Sequence, residues 1–151
     1  MSVYRINWIL DRENHVAAAL AVAGTGNLLA TDVIDLGSAR DIGAGSDVMF
    51  YNSINTAAAA GGTSIEFQII GADDAAMSVN VVVLATTGAV AIADIPINYL
   101  NFLRLQRAVP KRYISARLVR VGTFTGATTW SSGVTYDETD YRRFYAANFT
   151  A

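Results

Sequence analysis

Residues able to carry acid–base, nucleophilic or metal chemistry are few in this chain and poorly spaced for it. His15 is the only histidine, and cysteine is absent. A multi-histidine metal site, a thiolate nucleophile, a zinc ribbon and a disulfide framework therefore cannot be assembled within one chain. His15 follows a charged turn and is expected to be solvated. Two carboxylate groups stand out, Asp73-Asp74 and Asp137-Glu138 with Asp140. Adjacent residues on a strand point to opposite faces, so neither group suits two-carboxylate glycoside hydrolysis unless a loop turns its members together. Either could seat calcium in a loop, but the full ligand pattern of a calcium hand is absent. Acidic loop residues are ordinarily turn formers. Gly24-Thr25-Gly26 and Gly43-Ala44-Gly45 resemble the start of a phosphate loop, yet both lack a third glycine, a following Lys-Ser/Thr and a βαβ context. Asn148-Phe149-Thr150 fits a glycosylation sequon, which has meaning only on a secretory route. The expectation is a protein that is not an enzyme, with no cofactor and no metal.

The elements that would position any site are strands. The clearest runs from Gly61 to Asp74: Ile65, Phe67 and Ile69 fall on one side, Ser64, Glu66 and Gln68 on the other, between glycine breakers. Such period-2 alternation marks a strand with one buried face. Val3–Leu10 alternates in the same way and reads as a first strand or arm, followed by a polar turn at Asp11-Arg12-Glu13-Asn14. Val16–Val22 is alanine-rich and could pass for a helix on propensity, but is assigned as extended, with Gly24–Asn27 ending it. Further strands are expected at 31–37, 48–54, 99–106 and 127–136. Ser38–Ser46, Thr56–Gly62 and Arg107–Lys111 are expected to be loops or turns. Ser78–Ala85 and Val90–Ile92 read as two strands joined by a turn at Thr86-Thr87-Gly88-Ala89. The longest candidate is 112–124, with Ile114, Ala116 and Leu118 on one face. Its apolar side is expected to swap near Val119-Arg120-Val121, as at a β-bulge. Eight or so strands with glycine turns and no long helix predict an all-β single domain, a jelly roll or β-sandwich.

Composition agrees. Hydrophobic residues make up 52% of the 151 and charged ones 16%, enough for one core and no case for disorder. A net charge of −2 argues against electrostatic nucleic-acid binding. Lys111 is the single lysine beside ten arginines, a bias that suits fixed planar contacts between proteins. Met1–Leu10 has no secretory pattern. The apolar region Ala75–Ile97 is interrupted by Asn80, Thr86-Thr87-Gly88, Asp94 and Pro96, unlike a span of about 20 apolar residues, so a soluble protein without membrane contact is expected. In the C-terminal stretch, Tyr141, Phe144, Tyr145 and Phe149 are spaced for one face of a helix turn around Arg142-Arg143. That stretch either folds back on its own domain or packs on a neighbouring subunit.

Three blocks carry a family resemblance. They are Ile34-Asp35-Leu36-Gly37 with Ala39-Arg40-Asp41-Ile42-Gly43; Gly61–Gln68 with Asp73-Asp74-Ala75-Ala76; and Arg112-Tyr113-Ile114 with Val121-Gly122-Thr123-Phe124-Thr125. In order and spacing, over roughly residues 14–137, the chain resembles the capsid cement (decoration) proteins of tailed bacteriophages, of the Bordetella-phage type. The resemblance implies a jelly-roll domain at 14–137 that associates with itself as a homo-dimer or homo-trimer. It further implies assembly in the bacterial host cytoplasm onto the outer surface of an icosahedral virion, where neighbouring major capsid proteins of the HK-type fold are clamped. An N-terminal strand or arm (1–13) and a C-terminal arm (138–151) extend beyond the family core. They supply the interface candidates Tyr4, Trp8, Tyr141, Arg142, Arg143 and Tyr145. The alternative is a carbohydrate-binding β-sandwich module with Trp130 or Tyr99 as an aromatic platform.

Overall fold

The computed structural model describes residues 2–4, 13–40, 49–55, 59–105 and 110–135. Among them are eleven strands and one short 3-10 turn, Ile92–Asp94. In chain order the strands are β1 Ser2–Tyr4, β2 Glu13–Ala21, β3 Gly24–Leu29, β4 Asp32–Arg40, β5 Met49–Asn55 and β6 Ala60–Gly61. They continue with β7 Ser64–Ala72, β8 Val82–Ala91, β9 Leu100–Arg104, β10 Lys111–Thr125 and β11 Thr129–Thr135. A large, seven-stranded sheet runs β1-β4-β10-β7-β8, with β3 and β6 also paired to β10; a small, four-stranded sheet runs β2-β11-β5-β9. Apart from the parallel β1–β4 contact, all pairs are antiparallel.

Without the short additions β1, β3 and β6, the order is a jelly roll. The pairs β7–β8, β5–β9, β4–β10 and β2–β11 are nested one outside the next, and successive rungs fall in opposite sheets. The chain is thus one long hairpin folded across itself, the two-Greek-key solution for burying two apolar sheet faces against each other. As the alternation predicts, Ile65, Phe67 and Ile69 are fully buried, and they meet Phe50, Ile54, Ile114, Ala116, Leu118 and Trp130 in one core. Burial of each large aliphatic or aromatic side chain there contributes about 1.5–3 kcal/mol.

Four expectations need correction. β2 does end just ahead of Gly24–Asn27, at Ala21, but that stretch is itself strand and opens β3, which pairs with β10. Glu13, Asn14, Ser38–Arg40, Ala60-Gly61 and Lys111 are extended rather than turn or loop. The reading of 78–92 as two strands and a turn fails: Ser78–Val81 lie in the connection from β7, and β8 runs from Val82 straight through Thr86–Ala89, with a register shift against β7 between Glu66 and Gln68. Gly88 takes a positive φ there, and the Phe67 N–H donates to Thr87 Oγ1 (3.1 Å) while the Gly88 N–H donates to Thr86 Oγ1 (3.0 Å). Threonine hydroxyls thereby stand in for the ladder carbonyls that the bulge displaces. Finally, the apolar face of β10 does not swap. Arg120 keeps the core-facing parity of Ile114, Ala116 and Leu118 and is 8% exposed, whereas Val121 is 52% exposed. A shift in the β3–β10 register does lie between Arg120 and Phe124.

Arg120 tolerates that position because its planar donors are matched. Nε donates to Gly26 O, Nη1 to Val22 O and Ala23 O, and Nη2 to Thr25 O, all at 2.7–3.0 Å. Burial pushes its pKa down from the usual arginine range. The guanidinium replaces a sheet ladder for the β2–β3 turn, whose carbonyls all converge on it. At the start of β7, Gly62 has φ +58, and a Cβ there would stand 2.3 Å from the Phe124 ring. The Gly61-Gly62 pair is therefore required by close approach of β10 as well as by backbone conformation.

Candidate functional site

The outward face of the large sheet carries several groups of side chains held in fixed contacts. Three groups of side chains organise it. Alternation puts Val33, Ile70 and Ala72 outward, yet they are buried: with Met77 they form a second apolar cluster, joined by Leu29, Val81, Val83 and Tyr113. Met77 belongs to the 73–81 loop between β7 and β8, so this loop lies over the sheet. Two carboxylates shape it. Asp74 accepts from the Ser78 and Val79 N–H groups (both 2.8 Å) and from the Ser78 hydroxyl (2.7 Å). Asp73 accepts from Asn80 Nδ2 and from Lys111 Nζ, each at 2.8 Å. Gly71 leaves room for that lysine, since a Cβ on it would lie 2.9 Å from Lys111 Cγ. The Lys111 and Asn80 bonds hold the Asp73 carboxyl below its ordinary range, and the Ser78 hydroxyl and Val79 amide do the same for Asp74.

Beside the loop, Arg112 makes a two-pronged contact with Asp35, Nε to Oδ1 at 2.9 Å and Nη2 to Oδ2 at 3.0 Å. Its guanidinium lies 4.9 Å from the Tyr113 ring centroid. Asp35 also accepts the Gly37 N–H at 2.8 Å, and the ion pair raises the Arg112 pKa. Further along, Arg117 donates from Nε and Nη2 to Gln68 Oε1, Gln68 Nε2 donates to Glu66 Oε1, and Thr86 Oγ1 donates to the same oxygen. The result is a rigid polar ribbon crossing β10, β7 and β8, made of side chains held in fixed geometry. Preorganised arginine and carboxylate groups of this kind favour protein contacts, because little side-chain entropy is left to lose on binding. Val79 and Val121 add exposed apolar points, 48% and 52% accessible.

Asp73-Asp74 is the one acidic pair placed by the structure, and both members act as turn formers, as expected of loop acids. No group of three or more potential metal ligands occurs among the described residues. Of the interface candidates, Tyr4 has its backbone in β1, opposite Ile34. Trp8, Tyr141, Arg142, Arg143 and Tyr145 lie outside the described residues, as do Asp137, Glu138 and Asp140. Trp130 is not a platform for sugars: it is fully buried, and its Nε1 donates to Asn52 Oδ1 at 3.2 Å. Tyr99 is half-buried and stacked on Phe67, centroids 5.7 Å apart. The pairings of Asp35, Lys111, Arg112 and Arg117 leave no sequence signal, because their partners are distant in the chain.

A two-sheet jelly roll built from these strands defines a β-sandwich domain. The family is then specific: the Bbp16 model matches residues 16–134, and the chain belongs to the Bbp16 family, a family of Bordetella phage proteins. No curated protein is significantly similar to the chain. Among the described residues no helix is long and apolar enough to cross a membrane.

Proposed function

We propose that this protein is a structural virion component that decorates the outside of an icosahedral phage capsid and cements neighbouring copies of an HK-type major capsid protein. The observation that carries this reading is the family match, which spans the jelly roll from β2 to β11. The face of ion pairs and the polar ribbon on the large sheet support it. On this reading the protein works by contact and catalyses nothing. It acts as a homo-dimer or homo-trimer, with Tyr4, Trp8, Tyr141, Arg142, Arg143 and Tyr145 as candidates for contacts between subunits or with the shell. Each attachment need contribute only a few kcal/mol, because a linked array on a shell dissociates only when many weak contacts break together.

The test is co-sedimentation of the purified protein with capsids stripped of it, together with its native mass. Saturable binding at a fixed ratio to the major capsid protein is the expected outcome. Failure to bind both compact and expanded shells would overturn the proposal.

A further inference from the structure

Two charges on the outward face of the large sheet are held rigid without being paired. Arg117 donates from Nε and Nη2 to Gln68 Oε1 (2.9 and 2.6 Å), and Glu66 Oε1 accepts from Gln68 Nε2 and Thr86 Oγ1 (2.7 and 2.6 Å). Gln68 thus stands between the cation and the anion, and among the described residues neither forms an ion pair. Elsewhere on this face Lys111 is matched with Asp73 and Arg112 with Asp35. Around Arg117 and Glu66 lie apolar positions that solvent reaches. Val121 is 52% exposed, Ala89 and Ala91 are exposed, and Val119 and Leu29 are half-buried.

We propose that this face is an isologous interface with a second copy of the chain, Arg117 of each copy meeting Glu66 of the other. Strand register fixes the geometry. Arg117 lies opposite Gln68 on β7, and Val119 lies opposite Glu66. The cation and the anion therefore sit diagonally, one strand (about 4.8 Å) and two residues (about 6.8 Å) apart. A two-fold axis running between two stacked sheets, and bisecting that diagonal, exchanges Arg117 with Glu66. The same axis passes within about 2 Å of Val119, which sets that valine against its own copy. It also carries Val121 onto the neighbourhood of Leu29, the β3 residue opposite Arg117. One operation thus matches charge with charge and apolar with apolar. Both charged groups are already fixed, so pairing them loses little side-chain entropy. The inference rests on the homo-oligomer of the proposed function and narrows it to a dimer through this surface.

The test is sedimentation of the purified protein over a concentration series, with no capsid present. A dimer is expected; a monomer throughout, or a trimer, would overturn the proposal. Arg117→Glu and Glu66→Arg, each alone, set like charges against each other twice across the axis and should weaken the dimer by about a hundredfold or more. The double variant restores the match and should return the dimer to within about tenfold of the parent. Its support within the chain persists, because the Gln68 amide has an acceptor and two donors and can turn over to serve the exchanged charges. Single variants as dimeric as the parent would refute the interface, as would a folded double variant no better than the singles. A readout free of charge changes places benzoylphenylalanine at exposed Val121, in an equal mixture of isotope-labelled and unlabelled chains. Cross-links to β3 of the other isotopic species are expected. Cross-links confined to one species would overturn the interface, even where a charge variant fails to fold. Capsid co-sedimentation is scored separately: a protein that binds shells but dimerises through another surface would sink this inference and leave the proposed function standing.

Discussion

Two polar residues in the sandwich interior, Asn52 and Ser132, sit side by side on the small sheet and differ sharply in how they are satisfied. Asn52 accepts from Trp130 Nε1 and donates from Nδ2 to Asn101 Oδ1 at 3.3 Å. Among the described residues, Ser132 Oγ and Asn101 Nδ2 have no hydrogen-bond partner. A satisfied buried group is costly to remove because it orphans its partners, whereas an unsatisfied one is not. Asn52→Ala should therefore lower stability by about 2–4 kcal/mol, and Ser132→Ala should leave it unchanged or raise it by up to about 1 kcal/mol. Urea unfolding of the two variants checks the pair; a destabilised Ser132→Ala would show that its hydroxyl is partnered. Arg120 offers a second residue-scale test. Its four carbonyl contacts need the fork of a guanidinium, so Arg120→Lys should lose most of them and cost about 2–3 kcal/mol despite keeping the charge. Stability equal to the parent would mean that the charge rather than the fork holds the β2–β3 turn.

The 73–81 loop is the element most open to solution conditions. Asp73 and Asp74 both have carboxyls held below the ordinary value of 3.8. A depressed folded-state pKa stabilises the loop fully above that ordinary value, and the contribution is lost as pH falls through the lower, folded value. The loop should thus be constant at neutral and mildly acidic pH and loosen only below about pH 4. The Ser78 and Val79 amide resonances report this directly. Asp74→Asn should abolish their acid-induced shift, and a transition near neutrality would contradict the assignment. Strand β7 was legible in the sequence because strict alternation between glycines has one physical solution. The bulge in β8 was not, because Thr-Thr-Gly-Ala has the residue chemistry of a turn and only pairing with β7 distinguishes the two. Arg120 misled for a related reason: an arginine is assigned to solvent unless its acceptors are known, and here those come from about a hundred residues away, at separations of 94 to 98. The Asp35–Arg112 contact, 77 residues apart, leaves no local trace either. The acids at 73 and 74 were legible as turn formers because their partners lie within the same few residues, Lys111 excepted.

At the scale of the whole molecule, the nesting of β7–β8 inside β5–β9, β4–β10 and β2–β11 orders the contacts by loop length. Closing the 73–81 connection costs least entropy, and the outermost rung costs most. Leu84→Ala, on β8, should then slow refolding, while Val134→Ala, on β11, should mainly accelerate unfolding. Stopped-flow tryptophan fluorescence of a variant with Trp8→Phe, leaving Trp130 as reporter, would separate these, and the reverse pattern would place the nucleus at the outer rung. The same nesting bears on synthesis. The Ala19 N–H bonds to Ser131 Oγ, 112 residues further along, so β2 must wait for nearly the whole chain to emerge, roughly 6–22 s at typical elongation rates. Throughout that interval it is a strand without its partner, the kind of segment that invites aggregation. Its run of alanines, Ala17-Ala18-Ala19 with Ala21, makes it a weak template for other chains. The composition that made β2 hard to tell from a helix is also what lets it wait safely on the ribosome.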